Sequence, residues 1–228
     1  MGYGFRPSSS PLATIEWWAD VEADYHYTEA ASEFWGFAFG VLADSSPTAT
    51  LIGPATAPRE MHMTAGERHW GVELPPHVFL RGVGPKPLDE LRELPTDGRW
   101  FELAGVRYSV PDLDGAPRLL DALAAQGVLV AEPTVADALH GTDVGYSERS
   151  VRRMVTAAAG VGRKDVEQLR RARHAYRLLT KGASLSAAAA EAGYADQAHM
   201  TRSFRAFAGM SPGRILAGDT TPFDSRPA

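Results

Sequence analysis

The chain has 228 residues, of which 44% are hydrophobic and 22% charged, and it has no cysteine. This length can bury one large core or two ordinary ones, and the missing cysteines exclude disulfides and thiolate metal sites. No run of about 18 apolar residues marks a membrane span, and Met1–Ser10 lack the apolar segment of a signal peptide. These features predict a cytoplasmic protein. The net charge of −5 hides a split. Residues 1–127 hold nine Lys and Arg against eighteen Asp and Glu, whereas residues 128–218 hold thirteen against eight. A phosphate backbone repels the first region and attracts the second.

The first 110 residues read as β-rich. The apolar run Phe34–Leu42 predicts a buried strand. Thr48–Gly53 and His69–Leu74 are further strand candidates, separated by Pro and Gly. Six prolines between Pro54 and Pro87 disfavour long helices there, and Leu88–Leu94 is predicted as a short helix. A helical stretch opens at Pro111-Asp112, with Leu119, Leu120 and Leu123 as its apolar stripe and Gly127 as its stop. After Val128 every element reads as helical. Pro133-Thr134 opens a short helix with Thr134 and Asp137 at capping-box spacing. Ser147 caps a helix to about Ala159, and a long helix follows over Arg163–Lys181. Ser184 caps a short alanine-rich helix, and Asp196 caps a last one that ends at Gly209.

This half repeats itself. Gly145-Tyr146 precedes a helix ending at Gly160, and Gly193-Tyr194 precedes one ending at Gly209. With an offset of 49, Val151 aligns with Met200, Val155 with Phe204 and Ala158 with Phe207. These positions form one buried face. The outer stripes are Arg149, Arg152, Arg153 and Thr156 in the first helix, and Ala198, Thr201, Arg202 and Arg205 in the second. At helical spacing the inner and outer stripes lie roughly 160° apart. A short helix, a turn with Gly and a second helix with a basic outer face make a helix-turn-helix unit. The apolar stripe seats the second helix, and the outer stripe is free to enter a major groove.

The stretch from Leu185 through Gly193-Tyr194, Asp196-Gln197-Ala198-His199, Arg202-Ser203-Phe204 and Gly209-Met210-Ser211-Pro212 closely resembles the second helix-turn-helix of the AraC/XylS transcription regulators. Gly145-Tyr146-Ser147 through Arg153 resembles the first, and Arg163–Lys181 resembles the family's connector. Val155 stands where the family usually has Phe, and Gly162-Arg163 where it has Ser-Pro, so less apolar volume lies under the first recognition helix. The resemblance implies an α+β chain: a β-rich, barrel-like sensor domain at 1–110, a linker helix and junction at 111–132, an all-α domain of two helix-turn-helix units at 133–217, and a polar tail at 218–228. It implies a sequence-specific transcriptional regulator rather than an enzyme, with no cofactor. The DNA-contacting residues implied are Arg149, Arg152, Arg153 and Thr156 in unit one, and Gln197, Ala198, His199, Thr201, Arg202 and Arg205 in unit two. Gln197 can pair with adenine and Ala198 can touch a thymine methyl, while His199 and Arg205 suit phosphate. The partner is double-stranded DNA, read in two major-groove segments about one turn apart. RNA polymerase, a small-molecule effector and a homodimer contact through the N-terminal domain are further partners that this reading allows.

In the N-terminal half, Trp17, Trp18, Trp35 and Trp70 are candidate lining residues for an effector pocket, and the bland alternative makes each a core or sheet-face residue. His62, Glu67, His69 and His77 lie close in sequence, but their spacing fits a shared metal site poorly, and none is predicted. No catalytic constellation is legible. Two other readings stay open: an enzyme in the N-terminal domain with the helices as a targeting module, and a helical module that docks a protein.

Overall fold

The apolar run beginning at Phe34 becomes the centre of the largest sheet. The computed structural model describes residues 2–82 and 89–217. Antiparallel strands β1 (Gly2–Pro7), β2 (Ile15–Asp20), β7 (Arg68–Leu74), β4 (Trp35–Val41), β5 (Pro47–Ile52) and β9 (Leu91–Glu93) pair in that spatial order. Three two-stranded ribbons accompany them: β3 (Tyr25–Glu29) with β6 (Arg59–Met63), β8 (Val78–Leu80) with β12 (Leu129–Ala131), and β10 (Trp100–Leu103) with β11 (Val106–Ser109).

Period-2 alternation sends Trp35, Phe37 and Phe39 of β4 to the same face as Trp70, Val72 and Leu74 of β7. That face meets Phe101, whose ring centroid lies 5.2 Å from that of Phe39. It also meets Leu119, Leu120 and Leu123 of helix α1 (Ala116–Ala125), so the helix predicted at the junction is packed into the β core.

The chain departs from the sequence reading in four places. Leu88 lies outside the described residues, and the rest of the predicted helix Leu88–Leu94 contains strand β9, because the open edge of β5 takes up Leu91–Glu93 as a further ladder. Residues after Val128 are not all helical: Leu129–Ala131 pairs with Val78–Leu80. Strands β1, β2, β3, β6, β8, β10 and β11 were not anticipated: the polar and aromatic residues of the first four do not alternate cleanly, and the last three have only three or four residues each. The next helix, α2 (Pro133–Leu139), is capped by Glu132, which accepts the Thr134 backbone N–H; Pro133 at the first helical position fixes that start and displaces Thr134 from the cap.

The remaining helices are α3 (Glu148–Ala159), α4 (Arg163–Thr180), α5 (Leu185–Glu191), α6 (Gln197–Ala208) and α7 (Pro212–Leu216). They enclose two cores. Val135, Leu139, Val151, Val155, Ala158, Val161 and Val166 form one. Ala172, Ala175, Leu179, Met200, Phe204, Ala208 and Ile215 belong to the other. Among the described residues no helix is long and apolar enough to cross a membrane.

Two substitutions probe this packing. A methyl added at Gly71 in the middle of β7 would lie 2.3 Å from the Phe37 carbonyl oxygen and 2.6 Å from the Trp17 ring. Elsewhere Gly→Ala stabilises by reducing unfolded-state entropy, but here overpacking reverses the sign, and Gly71→Ala should cost about 1–3 kcal/mol. A urea midpoint that rises would rule out the close approach. Phe204→Ala removes a fully buried ring beneath α6 and should cost about 3–5 kcal/mol. An unchanged melting temperature would place the buried face of α6 elsewhere.

Candidate nucleic-acid interface

Helices α3 and α6 are built alike. Each has 12 residues. At the start, the Ser147 hydroxyl accepts the Ser150 N–H at 3.3 Å, and the Asp196 carboxylate accepts the His199 N–H at 2.6 Å. At the end, Gly160 (φ 79°) and Gly209 (φ 72°) take the left-handed conformation that closes a helix. The offset of 49 therefore holds from the N-cap through the buried face to the C-cap.

The helices before them keep a different register. Helix α2 closes on Gly141 (φ 82°) and α5 on Gly193 (φ 76°). The next N–H folds back in both, from Thr142 to the Asp137 carbonyl at 3.0 Å and from Tyr194 to the Ala189 carbonyl at 2.9 Å. Gly193 thus corresponds to Gly141 and not to Gly145, as the sequence motif had paired it. The offset here is 52, so the turn of unit one is three residues longer. The consequence is visible at the two tyrosines. Tyr194 is buried, with its hydroxyl 3.0 Å from the Ser203 hydroxyl and its ring edge-on to His199. Burial pushes its pKa above the ordinary value. Tyr146, at the end of the longer turn, is 59% exposed.

Both outer faces stand clear of the protein. In unit one, Arg149, Arg152, Arg153 and Thr156 are exposed, opposite the buried Val151, Val155 and Ala158. In unit two, Gln197, Ala198, Arg202 and Arg205 are exposed, opposite Met200, Phe204 and Ala208. His199 and Thr201 are half-buried at the margin of that face. The Thr201 hydroxyl donates back to the Gln197 carbonyl at 2.9 Å, so its proton is used within the helix. Among the described residues, Arg149, Arg152, Arg153, Arg202 and Arg205 have no acidic partner, whereas Arg163 pairs with Glu167 at 2.9 Å and Arg173 with Glu33. The smaller side chains under unit one are also seen: α3 rests on Val151, Val155 and Ala158, whereas α6 rests on Met200 and Phe204.

The four tryptophans are split between the two faces of the sheet, with Trp18, Trp35 and Trp70 on one and Trp17 on the other. Trp35 is buried in the β core, in register with Leu74, four residues along the sheet from Trp70. Trp70 packs near Phe39 and donates its indole N–H to the Pro111 carbonyl at 2.8 Å. Trp18 pairs with Trp70 and covers Gly4, while Trp17 points to the opposite sheet face over Gly71. The histidines are likewise dispersed. His62 stacks on His26 at 4.3 Å, His69 meets Glu67 at 3.0 Å, and burial, with His140 and Arg170 nearby, lowers the pKa of His77.

Residues 141–218 match a family model described as a helix-turn-helix domain. The match begins after α2, so it covers the recognition helix of unit one and the whole of unit two. Comparison with curated proteins gives no match. Two crystal structures of ToxT from Vibrio cholerae, one an apo variant from strain SCE256, align with 9% identity and TM-scores of 0.39 and 0.37. They cover 93% and 95% of this chain and 100% and 98% of their own, a likeness too distant to carry an argument. Motif and family model agree on the C-terminal half: residues 141–218 are a helix-turn-helix domain of the AraC type.

Proposed function

We propose that the chain is a sequence-specific transcriptional regulator that presents α3 and α6 to two successive major-groove segments, roughly 34 Å apart along one face of a duplex. The observation that carries this is the set of five exposed arginines on equivalent faces of two capped helices, none with an acidic partner among the described residues. A buried face that fixes each helix, opposite a face whose arginines have no acidic partner among the described residues, is what groove docking needs. Arginine's planar fork matches guanine O6 and N7 as well as phosphate oxygens.

Within this reading Arg149, Arg152 and Arg153 supply most of the charge of unit one. Gln197 at the first turn of α6 reaches a base edge, Ala198 offers a methyl contact and Arg202 reads a base. Arg205, one turn further on, and His199, at the margin of the face, meet phosphate. The β-rich half is the sensor for a small molecule or a partner. Two reading heads in one chain allow a bipartite, non-palindromic site without a dimer.

Selection of bound duplexes from a random pool tests the whole reading; a single short half-site as the product would contradict it. Two substitutions then separate the roles. Arg202→Ala should weaken binding to the selected duplex by about 1–3 kcal/mol and relax preference at one position. Equal losses on selected and random duplexes would make it a backbone contact. Arg205→Ala should weaken both duplexes alike and lower the slope of log K against log salt by about one unit. A salt slope identical to wild type would remove Arg205 from the phosphate contacts.

A further inference from the structure

We propose that the segment Ala30–Phe34 of the β-rich half is an integral part of helix-turn-helix unit two, and that Glu33 is a positioning residue for recognition helix α6. The inference rests on the DNA-binding reading above and adds how α6 is held.

The segment runs between β3 and β4 and is pinned to its own half. Ser32 and Ala55 exchange backbone hydrogen bonds at 2.9 and 2.7 Å, and the Phe34 N–H donates to the Ser32 hydroxyl at 3.2 Å. From that base it enters unit two by three routes. Ala30 is buried in the same apolar cluster as Ala172, Met200 and Phe204. The Ala31 N–H donates to the Phe207 carbonyl at 2.7 Å. Phe207 lies in the last turn of α6, where carbonyls have no partner within the helix. A backbone group of the β-rich half therefore caps the recognition helix.

The third route is ionic. Glu33 is fully buried and Arg173 of α4 is 6% exposed. The Arg173 guanidinium donates to Glu33 Oε2 and lies 4.8 Å above the Phe34 ring. Arg170 Nε stands 3.8 Å from the other carboxylate oxygen, and Arg170 Nη1 donates to the Leu139 carbonyl at the end of α2 at 2.7 Å. Residues 140 apart in sequence thus share one buried charge pair. Breaking such a pair by removing one charge is costly because the other stays buried and uncompensated. The pair consequently holds α4 at a fixed depth against the β-rich half, and α6 packs on α4 as well as on α5.

The test uses the full-length chain on a duplex selected from a random pool, with affinity measured by fluorescence anisotropy and base-level contacts by hydroxyl-radical footprinting. Glu33→Gln should weaken binding about tenfold, with protection lost at the element read by α6 and kept at the element read by α3. Phe34→Leu keeps both charges and removes only the ring beneath Arg173. It should move affinity and footprint in the same direction by a smaller factor, and it decides the matter if Glu33→Gln fails to fold. A folded Glu33→Gln protein with wild-type affinity and footprint would overturn the proposal, and so would equal loss of protection at both elements. A Phe34→Leu footprint identical to wild type would also overturn it when Glu33→Gln is unfolded. A wild-type chain that protects no duplex would sink the DNA-binding reading itself, whereas a two-element footprint that Glu33→Gln leaves intact sinks only this inference.

Discussion

Helix α4 has to satisfy three neighbours at once, and the helical half is arranged around that constraint. Val166 faces the core of unit one, and Ala172, Ala175 and Leu179 face the core of unit two. Arg170 and Arg173 turn towards Glu33 of the β-rich half. An 18-residue helix spans about 27 Å at 1.5 Å per residue, long enough to give each unit its own two turns. Small residues at 172 and 175 let neighbouring helices approach closely on the side of unit two. The charged face is tolerated because each guanidinium meets a carboxylate or a carbonyl rather than bare hydrocarbon.

The candidate interface was largely legible in the sequence because its information is local. Ser147, Asp196, Gly160 and Gly209 mark helix ends through interactions with residues three or four positions away. The 3.6-residue period then separates Val151 and Val155 from Arg149 and Arg152 without reference to the rest of the chain. The turns were harder. Gly141 and Gly193 are legible as helix stops, but Gly145-Tyr146 and Gly193-Tyr194 also match as letters, and that match is out of the structural register because Gly141 is the glycine that closes α2 as Gly193 closes α5. The same limit hid the cap at Glu132, which reaches a backbone N–H from a position that capping preferences disfavour.

The β-rich half was legible where apolar runs stand between Pro and Gly punctuation: Thr48–Gly53 and His69–Leu74 fall on β5 and β7. Phe34–Leu42 announced itself as an unbroken apolar run and became β4. Strands β8 and β12 have three residues each and exist because they pair across about 50 residues of chain, which no local pattern encodes. The aromatic residues of β2 sit side by side as Trp17-Trp18, so they break the alternation that would have marked the strand. The contact between Glu33 and Arg173 is the extreme case. A buried acid 140 residues from its partner looks, in sequence, like one more member of an acidic region.

That long-range contact makes the two units unequal in kind as well as in core volume. Unit one touches the β-rich half through apolar packing, with Phe79 of β8 set against the cluster that includes Val135 and Val155, and its polar ties reach α2 rather than α3: the Glu132 N–H donates to the His77 carbonyl, and Arg170 bridges Glu33 to the Leu139 carbonyl. Unit two touches it through a backbone hydrogen bond to the last turn of α6 and a buried ion pair to α4. Hydrogen bonds weaken steeply once their angle is lost, so these contacts fix orientation as well as distance. Unit one carries three exposed arginines over a thin core, and unit two carries the buried aromatic wedge and the backbone contact to its recognition helix. In the proposed DNA-binding reading, a shift of Ala30–Phe34 against α4 and the last turn of α6 changes the angle at which α6 meets the groove.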